Sequence, residues 1–282
     1  MPMDNTELNV VIPEVWAGDV IASTYDPAAV INRVQRKDAE VSKFGDIIHM
    51  PASPGVSVND VTAATGAVTD QDITFNEAQL TVDKWKEVTI QLVEKAAKQS
   101  FVDAVAALRP EFTKGLMAQM SSDLLALYSD VTTNSFGDSN SQINEDLVLQ
   151  AINSLLDRDL EEFVSDPNMV SLFLHTSQWS QAMKNGNWTD ASITAGPEGG
   201  GRQKTVKALY GVPVFYSTKV ASASSARQNL LFVRHALALA VQKNIENREL
   251  VSTGLARRYN ANCLYGVKTR LEARAALIKT KA

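Results

Sequence analysis

The chain has 282 residues, 45% hydrophobic and 21% charged, which suits one large globular domain or two modest ones with a substantial buried core. A net charge of −5, from 27 basic against 32 acidic residues, lacks the basic excess of a dedicated nucleic-acid binder. The single cysteine, Cys263, excludes an intramolecular disulfide framework and fits a reducing compartment. No apolar run approaches the roughly 20 residues needed to span a bilayer. The stretch MPMDNTELNVVIPEVWAGDV has neither the basic leader nor the apolar core of a signal peptide. Folding in a cytoplasm, with no membrane partner, is therefore expected.

Residues 1 to about 25 read as an extended arm with a sticky VVIPEVW segment, because Pro13 disfavours a continuous helix. A short helix is expected from about Asp26, with Pro27 in its first turn. FGDIIHMP reads as a strand stopped by Pro51. The Gly-, Ser- and Thr-rich stretch 52–71 makes a turn-rich excursion, and DITF and AQLTVDKWKEVTIQLV return as strand. Apolar parity shifts between Ile73/Phe75 and Ala78/Leu80, which predicts a bulge near Asn76. Residues 43–92 thus read as a two-stranded ribbon, a structure marginal by itself in water. Trp85 stands on its opposite, mostly polar parity.

From Val93 the spacing turns helical and continues to about Asp130, with a kink or restart expected at Arg109-Pro110. Beyond the proline, Phe112, Leu116, Met120, Leu124 and Leu127 form an amphipathic stripe. After a polar loop, NEDLVLQAINSLLDRDLEEF predicts a helix capped by Asn144. MVSLFLHTS predicts a strand buried on both faces, and SQWSQAMKNG a short helix ended by Gly186. A loop around TAGPEGGGRQKT precedes VKALYGVPVFYSTKV, NLLFVRHALALAVQK and a strand-like tail from Glu249. Strands and helices are segregated rather than alternating as βαβ, so the class is α+β.

The chemical inventory is poor. His49, His175 and His235 are far apart and belong to no metal-ligating motif. GGGRQKT lacks the consecutive Gly-Lys-Ser/Thr that brings backbone amides and a lysine onto phosphates, so it reads as a surface loop. The sequon Asn187-Trp188-Thr189 also reads as a loop, and Cys263 as a small apolar residue. The paired acids Asp157, Asp159, Glu161 and Glu162 fit a solvated helix face. Arg257-Arg258-Tyr259 could touch phosphates, against the net negative charge. No catalytic residue, cofactor or metal is expected.

The order of four segments resembles the major capsid proteins of tailed bacteriophages, the HK97-like fold. These are FGDIIHMP, LTVDKWKEVTIQLVEKAAKQSFVD, LYGVPVFYSTKV and HALALAVQKNIENREL…LYGVKTRLEARAALI. The resemblance implies an N-terminal arm (1–30), a short helix or linker (31–42), an extended ribbon loop (43–92) and a spine helix (93–130). It further implies an axial domain (131–244) and C-terminal strands of a peripheral domain (245–282). Such a protein would be a structural component without enzymatic activity. It would form pentamers and hexamers of an icosahedral head around double-stranded DNA, helped by a scaffolding protein and a portal. Contacts between copies are then expected from Ile12 and Trp16 of the arm and from Ile73, Phe75, Leu80, Val82 and Trp85 of the ribbon. An encapsulin-like compartment of the same fold is an alternative. A hydrolase or binding protein with a site assembled from distant residues is another, from a different class.

Overall fold

The computed structural model describes residues 28–41, 45–52, 56, 58–61, 68, 70, 74–93, 104–157, 166, 168–184, 188, 208–250 and 256–282. The arm, Ile73 and the GGGRQKT loop lie outside them. The N-terminal part opens with α1 (Ala28–Ile31), β1 (Gln35–Arg36) and α2 (Asp38–Val41). The strands β2 (Ile47–Ala52), β3 (Asn76–Thr81) and β4 (Lys84–Val93) follow, then the long helix α3 (Ala104–Leu125), tightening into a 3₁₀ turn at Ala126–Asp130. The middle of the chain holds β5 (Ser135–Phe136), α4 (Glu145–Leu156), β6 (Val170–Leu174) and α5 (Thr176–Ala182). After these come β7 (Ala208–Leu209), β8 (Val212–Tyr216), β9 (Ser222–Ala223) and β10 (Ala226–Val233). The long strands β11 (Leu237–Leu250) and β12 (Ala256–Thr269) precede β13 (Ala275–Lys281).

Local chemistry accounts for several of these elements. The Asn144 side chain accepts the Leu147 amide at 2.9 Å, and Glu145 and Asp146 add negative charge to the first turn of α4. All five residues of β6 are buried, as a strand covered on both faces requires. Helix α3 is continuous through Pro110, so the expected restart does not occur. An interior proline removes one donor and crowds the carbonyl four residues back, a cost offset by Phe112, Leu116, Met120 and Leu124, which anchor the following turns in the core.

The described strands form three sheets: a four-stranded sheet in the order β1-β11-β12-β4, a seven-stranded sheet in the order β5-β13-β10-β6-β8-β7 with β9 beside β10, and the β2-β3 pair. Helix α3 packs with both larger sheets. Its buried stripe shares one core with Leu237, Leu239, Ala261 and Cys263 of the four-stranded sheet and with Phe173, Leu230 and Phe232 of the seven-stranded one. Phe215, Phe173 and Phe232 stack in series, with centroids 5.1 and 5.6 Å apart, and the Arg33 guanidinium lies 4.8 Å above the Phe215 ring. Helix α4 buries Val148, Ala151, Ile152 and Leu155 in a second core shared with Leu172, Leu174 and Leu231.

The sheets divide the C-terminal quarter differently from expectation. β11 joins the four-stranded sheet from Leu237 onward, and β13 does not stay with it. Instead β13 lies between β5 and β10 in the seven-stranded sheet, with Leu230 opposite Leu277. Alternation marks a strand but carries no information on which sheet receives it.

Candidate assembly surface

The ribbon expected over 43–92 is shorter than its sequence pattern. Only β2 and β3 pair with each other, from Ile47 opposite Thr81 to Ala52 opposite Asn76. After Val82 and Asp83 the chain changes partner, and β4 runs antiparallel to β12 with Trp85 opposite Leu264 and Thr89 opposite Asn260. The change of partner thus falls at Val82–Asp83, whereas the bulge expected near Asn76 falls at the start of β3, close to residues outside those described. It follows that β4 is an edge strand of the body and not an arm of the ribbon.

Three kinds of contact fix the ribbon's base to its own chain. Ile48, Met50, Leu80 and Val82 share a small core with Val41, Ala238 and Ala240. The Val82 amide donates to the Asp46 carbonyl at 2.7 Å, and Gln242 Nε2 donates to the Gly45 carbonyl at 2.9 Å. Arg270 reaches the Gln35 side chain through NH1 at 2.9 Å and the Pro51 carbonyl through NH2 at 3.3 Å. Gly266, of the segment Leu264-Tyr265-Gly266-Val267-Lys268, permits a close approach there. A Cβ at that position would overlap the Thr81 carbonyl.

The neighbouring Tyr265 ties the sheet to α3. Its hydroxyl donates to Asp123 Oδ2 at 2.9 Å, Gln119 Nε2 donates to Asp123 Oδ1 at 2.8 Å, and Lys84 Nζ lies 3.7 Å from Asp123 Oδ2. Burial first, and then the hydrogen bond to the Asp123 carboxylate, push the Tyr265 phenol pKa well up. Burial likewise raises the pKa of the Cys263 thiol, which sits in the core as the small apolar residue expected.

On the outer face of the four-stranded sheet, Trp85 is 73% exposed. Its strand alternates along its whole length: Lys84, Lys86, Val88, Ile90 and Leu92 are half-buried, and Trp85, Glu87, Thr89, Gln91 and Val93 are exposed. Beside Trp85 runs a polar ladder. Asn260 Nδ2 donates to Glu87 Oε2 at 2.6 Å and to Thr89 Oγ1 at 2.7 Å, and Asn262 Nδ2 donates to Asn260 Oδ1 at 2.6 Å. Trp85, Lys243, Arg248, Leu250 and Asn262 line a groove of about 420 Å³. Asn262 Oδ1 is buried there without a hydrogen-bond partner among the described residues. This ladder was not recognised from sequence, although Asn260 and Asn262 share one parity in a strand whose other parity carries Ala261 and Cys263.

Beyond the base, the ribbon loop exposes apolar side chains. Val56, Val61, Val68 and Phe75 are all more than half exposed, and Val58 is 98% exposed. No cluster of three or more metal-ligating side chains occurs among the described residues, and no described helix is long and apolar enough to cross a membrane. His49 Nδ1 lies 3.1 Å from the exposed Glu77 carboxylate, and His175 caps α5 by accepting the Ser177 amide.

No protein-family model and no curated protein matches the sequence. Solved structures do match across nearly the whole chain. A chain from Mycobacterium phage Che8 superposes with a TM-score of 0.77 at 18% identity, covering 95% of this chain and 96% of that one. A chain from the asymmetric unit of the bacteriophage PhiM1 mature capsid gives 0.72 at 12% identity, covering 95% and 92%. A chain from the capsid of the native GTA particle gives 0.73 at 9% identity, covering 100% of both. The fold is the HK97-like capsid fold.

Of the residues expected to meet neighbours in this HK97-like fold, Ile12, Trp16 and Ile73 lie outside the described residues. Phe75 and Trp85 are exposed, but they lie on different parts of the surface framework, the ribbon loop and the four-stranded sheet. Leu80 and Val82 are buried in their own chain's core and have almost no surface to offer a neighbour. Their apolar parity reflects the ribbon's intramolecular base, a correction to the expectation for these two positions.

Proposed function

We propose that the chain is a tailed-phage major capsid protein that assembles through the ribbon loop and the outer face of the four-stranded sheet. Copies form pentamers and hexamers of an icosahedral head enclosing double-stranded DNA, aided by a scaffolding protein and a portal. The shell is built in the host bacterial cytoplasm, and the protein resides in the virion without enzymatic activity or a cofactor. Rings of identical subunits use head-to-tail contacts, in which a projecting element of one copy meets a different surface of the next.

The observation that carries this reading is the contrast within the ribbon. Its base is packed into the body, while the excursion beyond it displays Val56, Val58, Val61, Val68 and Phe75 to solvent. An apolar set of this kind on a projecting segment gains stability only by being covered. The Trp85 groove supplies apolar area together with the Lys243 and Arg248 side chains to a neighbouring copy.

The test replaces residues 53–75 by Asn-Gly, which suits a two-residue turn between the directly paired Ala52 and Asn76. The shortened protein is expected to fold with an ordinary cooperative melt but to give no shells by electron microscopy when expressed with its scaffold. Shells of normal size and yield would overturn the proposal.

A further inference from the structure

Strand β4 stands at the end of the four-stranded sheet and pairs with β12 over its whole length, from Lys84 opposite Tyr265 to Val93 opposite Ala256. Among the described residues its backbone is hydrogen-bonded to no other strand. Its ten residues span about 33 Å. A long open edge is a template for another strand, and edges that stay single are short, bulged, broken by proline or studded with lysine. β4 is long, unbroken in register and free of proline. Its two lysines stand together at one end, where Lys84 lies 3.7 Å from the Asp123 carboxylate.

The outward side chains of this strand carry a two-fold pattern. Trp85 and Val93, its exposed large apolar residues, stand at equal distances on either side of Thr89. Glu87 and Gln91 do the same, one step nearer. Lay a second β4 antiparallel beside the first, with Thr89 opposite Thr89. Trp85 of each copy then meets Val93 of the other, and Glu87 meets Gln91. On the inward face Val88 meets Ile90, and Lys86 meets Leu92. Every charged side chain faces a neutral one. Neighbouring registers fit less well. Centred on Glu87 the pairing opposes two carboxylates, and centred on Val88 it sets Trp85 against Gln91. Centred on Ile90 it sets Glu87 against Val93. A half-step shift turns the polar face of one copy onto the apolar face of the other.

We propose that β4 pairs antiparallel with β4 of a second copy, with Thr89 on the two-fold axis, so that two four-stranded sheets become one of eight strands. Such a contact is isologous, one self-complementary patch serving both copies. Each pair off the axis therefore occurs twice. The inference rests on the reading of the Trp85 face as a surface between copies, and it names what meets that face. It adds a two-fold contact to the head-to-tail contacts within rings, and icosahedral symmetry provides two-fold axes for it.

Backbone bonds alone admit any extended segment to an open edge. The side chains single out a second β4, because cross-strand neighbours decide how well a pair of strands fits. One register covers both exposed apolar side chains with each other and opposes no like charges.

The test measures self-association of the full chain, without scaffold, by sedimentation velocity over a range of concentrations. A dimer is expected as the smallest associated species. Trp85→Asp and Val93→Lys, both at exposed positions, are each expected to weaken it at least tenfold without changing the melting temperature. The double variant is expected to recover the parent's affinity, because the new carboxylate of each copy then meets the new ammonium of the other. Within one chain those positions lie about 27 Å apart along the strand and cannot meet. As milder variants, Gln91→Lys is expected to tighten the dimer about threefold and Gln91→Glu to loosen it as much, through Glu87 of the other copy. A chain that stays monomeric at every concentration overturns the inference. So does a dimer that the single variants leave intact or that the double variant fails to recover. Shells formed by a chain that never dimerises in this way overturn the edge pairing and leave the capsid reading standing. Dimers with these responses, but no shells in the presence of scaffold, do the reverse.

Discussion

At the scale of single residues, Gly266 and Glu272 carry more than their side chains suggest. A methyl group at 266 meets the Thr81 carbonyl and the Leu80 side chain, neither of which can retreat without disturbing the ribbon's base. Gly266→Ala is expected to cost about 1–3 kcal/mol, the usual range for overpacking. Hydrogen exchange should show the lost protection concentrated in β2 and β3; a uniform change would contradict this account. Glu272 gathers four donors on one carboxylate oxygen, the amides and hydroxyls of Thr132 and Thr133, at 2.8–2.9 Å. The Thr133 and Thr132 amides, followed by their hydroxyls, lower its pKa from 4.5 to about 2. A depressed folded-state pKa means this contribution is present above about 4.5 and is lost as pH falls toward 2. Glu272→Gln should therefore melt below the parent protein at pH 7, and the gap should close on acidification across that window. A gap that stays constant with pH would show that charge plays no part.

At the scale of elements, exposure decides what a substitution disturbs. Leu124 of α3 is fully buried, so Leu124→Ala is expected to destabilise the folded chain by about 2–5 kcal/mol, measurable by denaturant unfolding. Trp85→Ala removes an exposed ring from β4 and should leave stability within about 0.5 kcal/mol. Its expected effect is on assembly, with shell yield in the presence of scaffold falling about tenfold, since tryptophans commonly dominate contacts between chains. Unchanged yield would place the interface elsewhere. The same elements show what was legible in advance. Asn144 as a cap, β6 as a doubly covered strand and Trp85 as off-parity all follow from local pattern. The change of partner at Val82–Asp83 does not, because Leu80, Val82, Val88 and Ile90 keep the same parity across it. Nor could alternation reveal that Leu80 and Val82 face their own chain while Val56 and Phe75 face solvent. The Asn260–Asn262 ladder escaped because asparagine in a strand reads as a turn residue until its cross-strand partners are known.

At the scale of the whole molecule, the two large sheets share one helix but are completed by segments far apart in the chain. The four-stranded sheet draws on β1, β4, β11 and β12, and the seven-stranded sheet waits for β13. The order of synthesis therefore matters. While the ribosome is making β11 and β12, β10 has β6 on one side and nothing to pair with along the edge that β13 will occupy. A chain ending after Arg274 is expected to keep that edge open and to be cut readily by protease within 226–233, where the full chain resists. Strand pairing at so great a separation is slow to form. The placement of β13 thus acts as a timer: the seven-stranded sheet stays open along β10 until translation has passed Lys281.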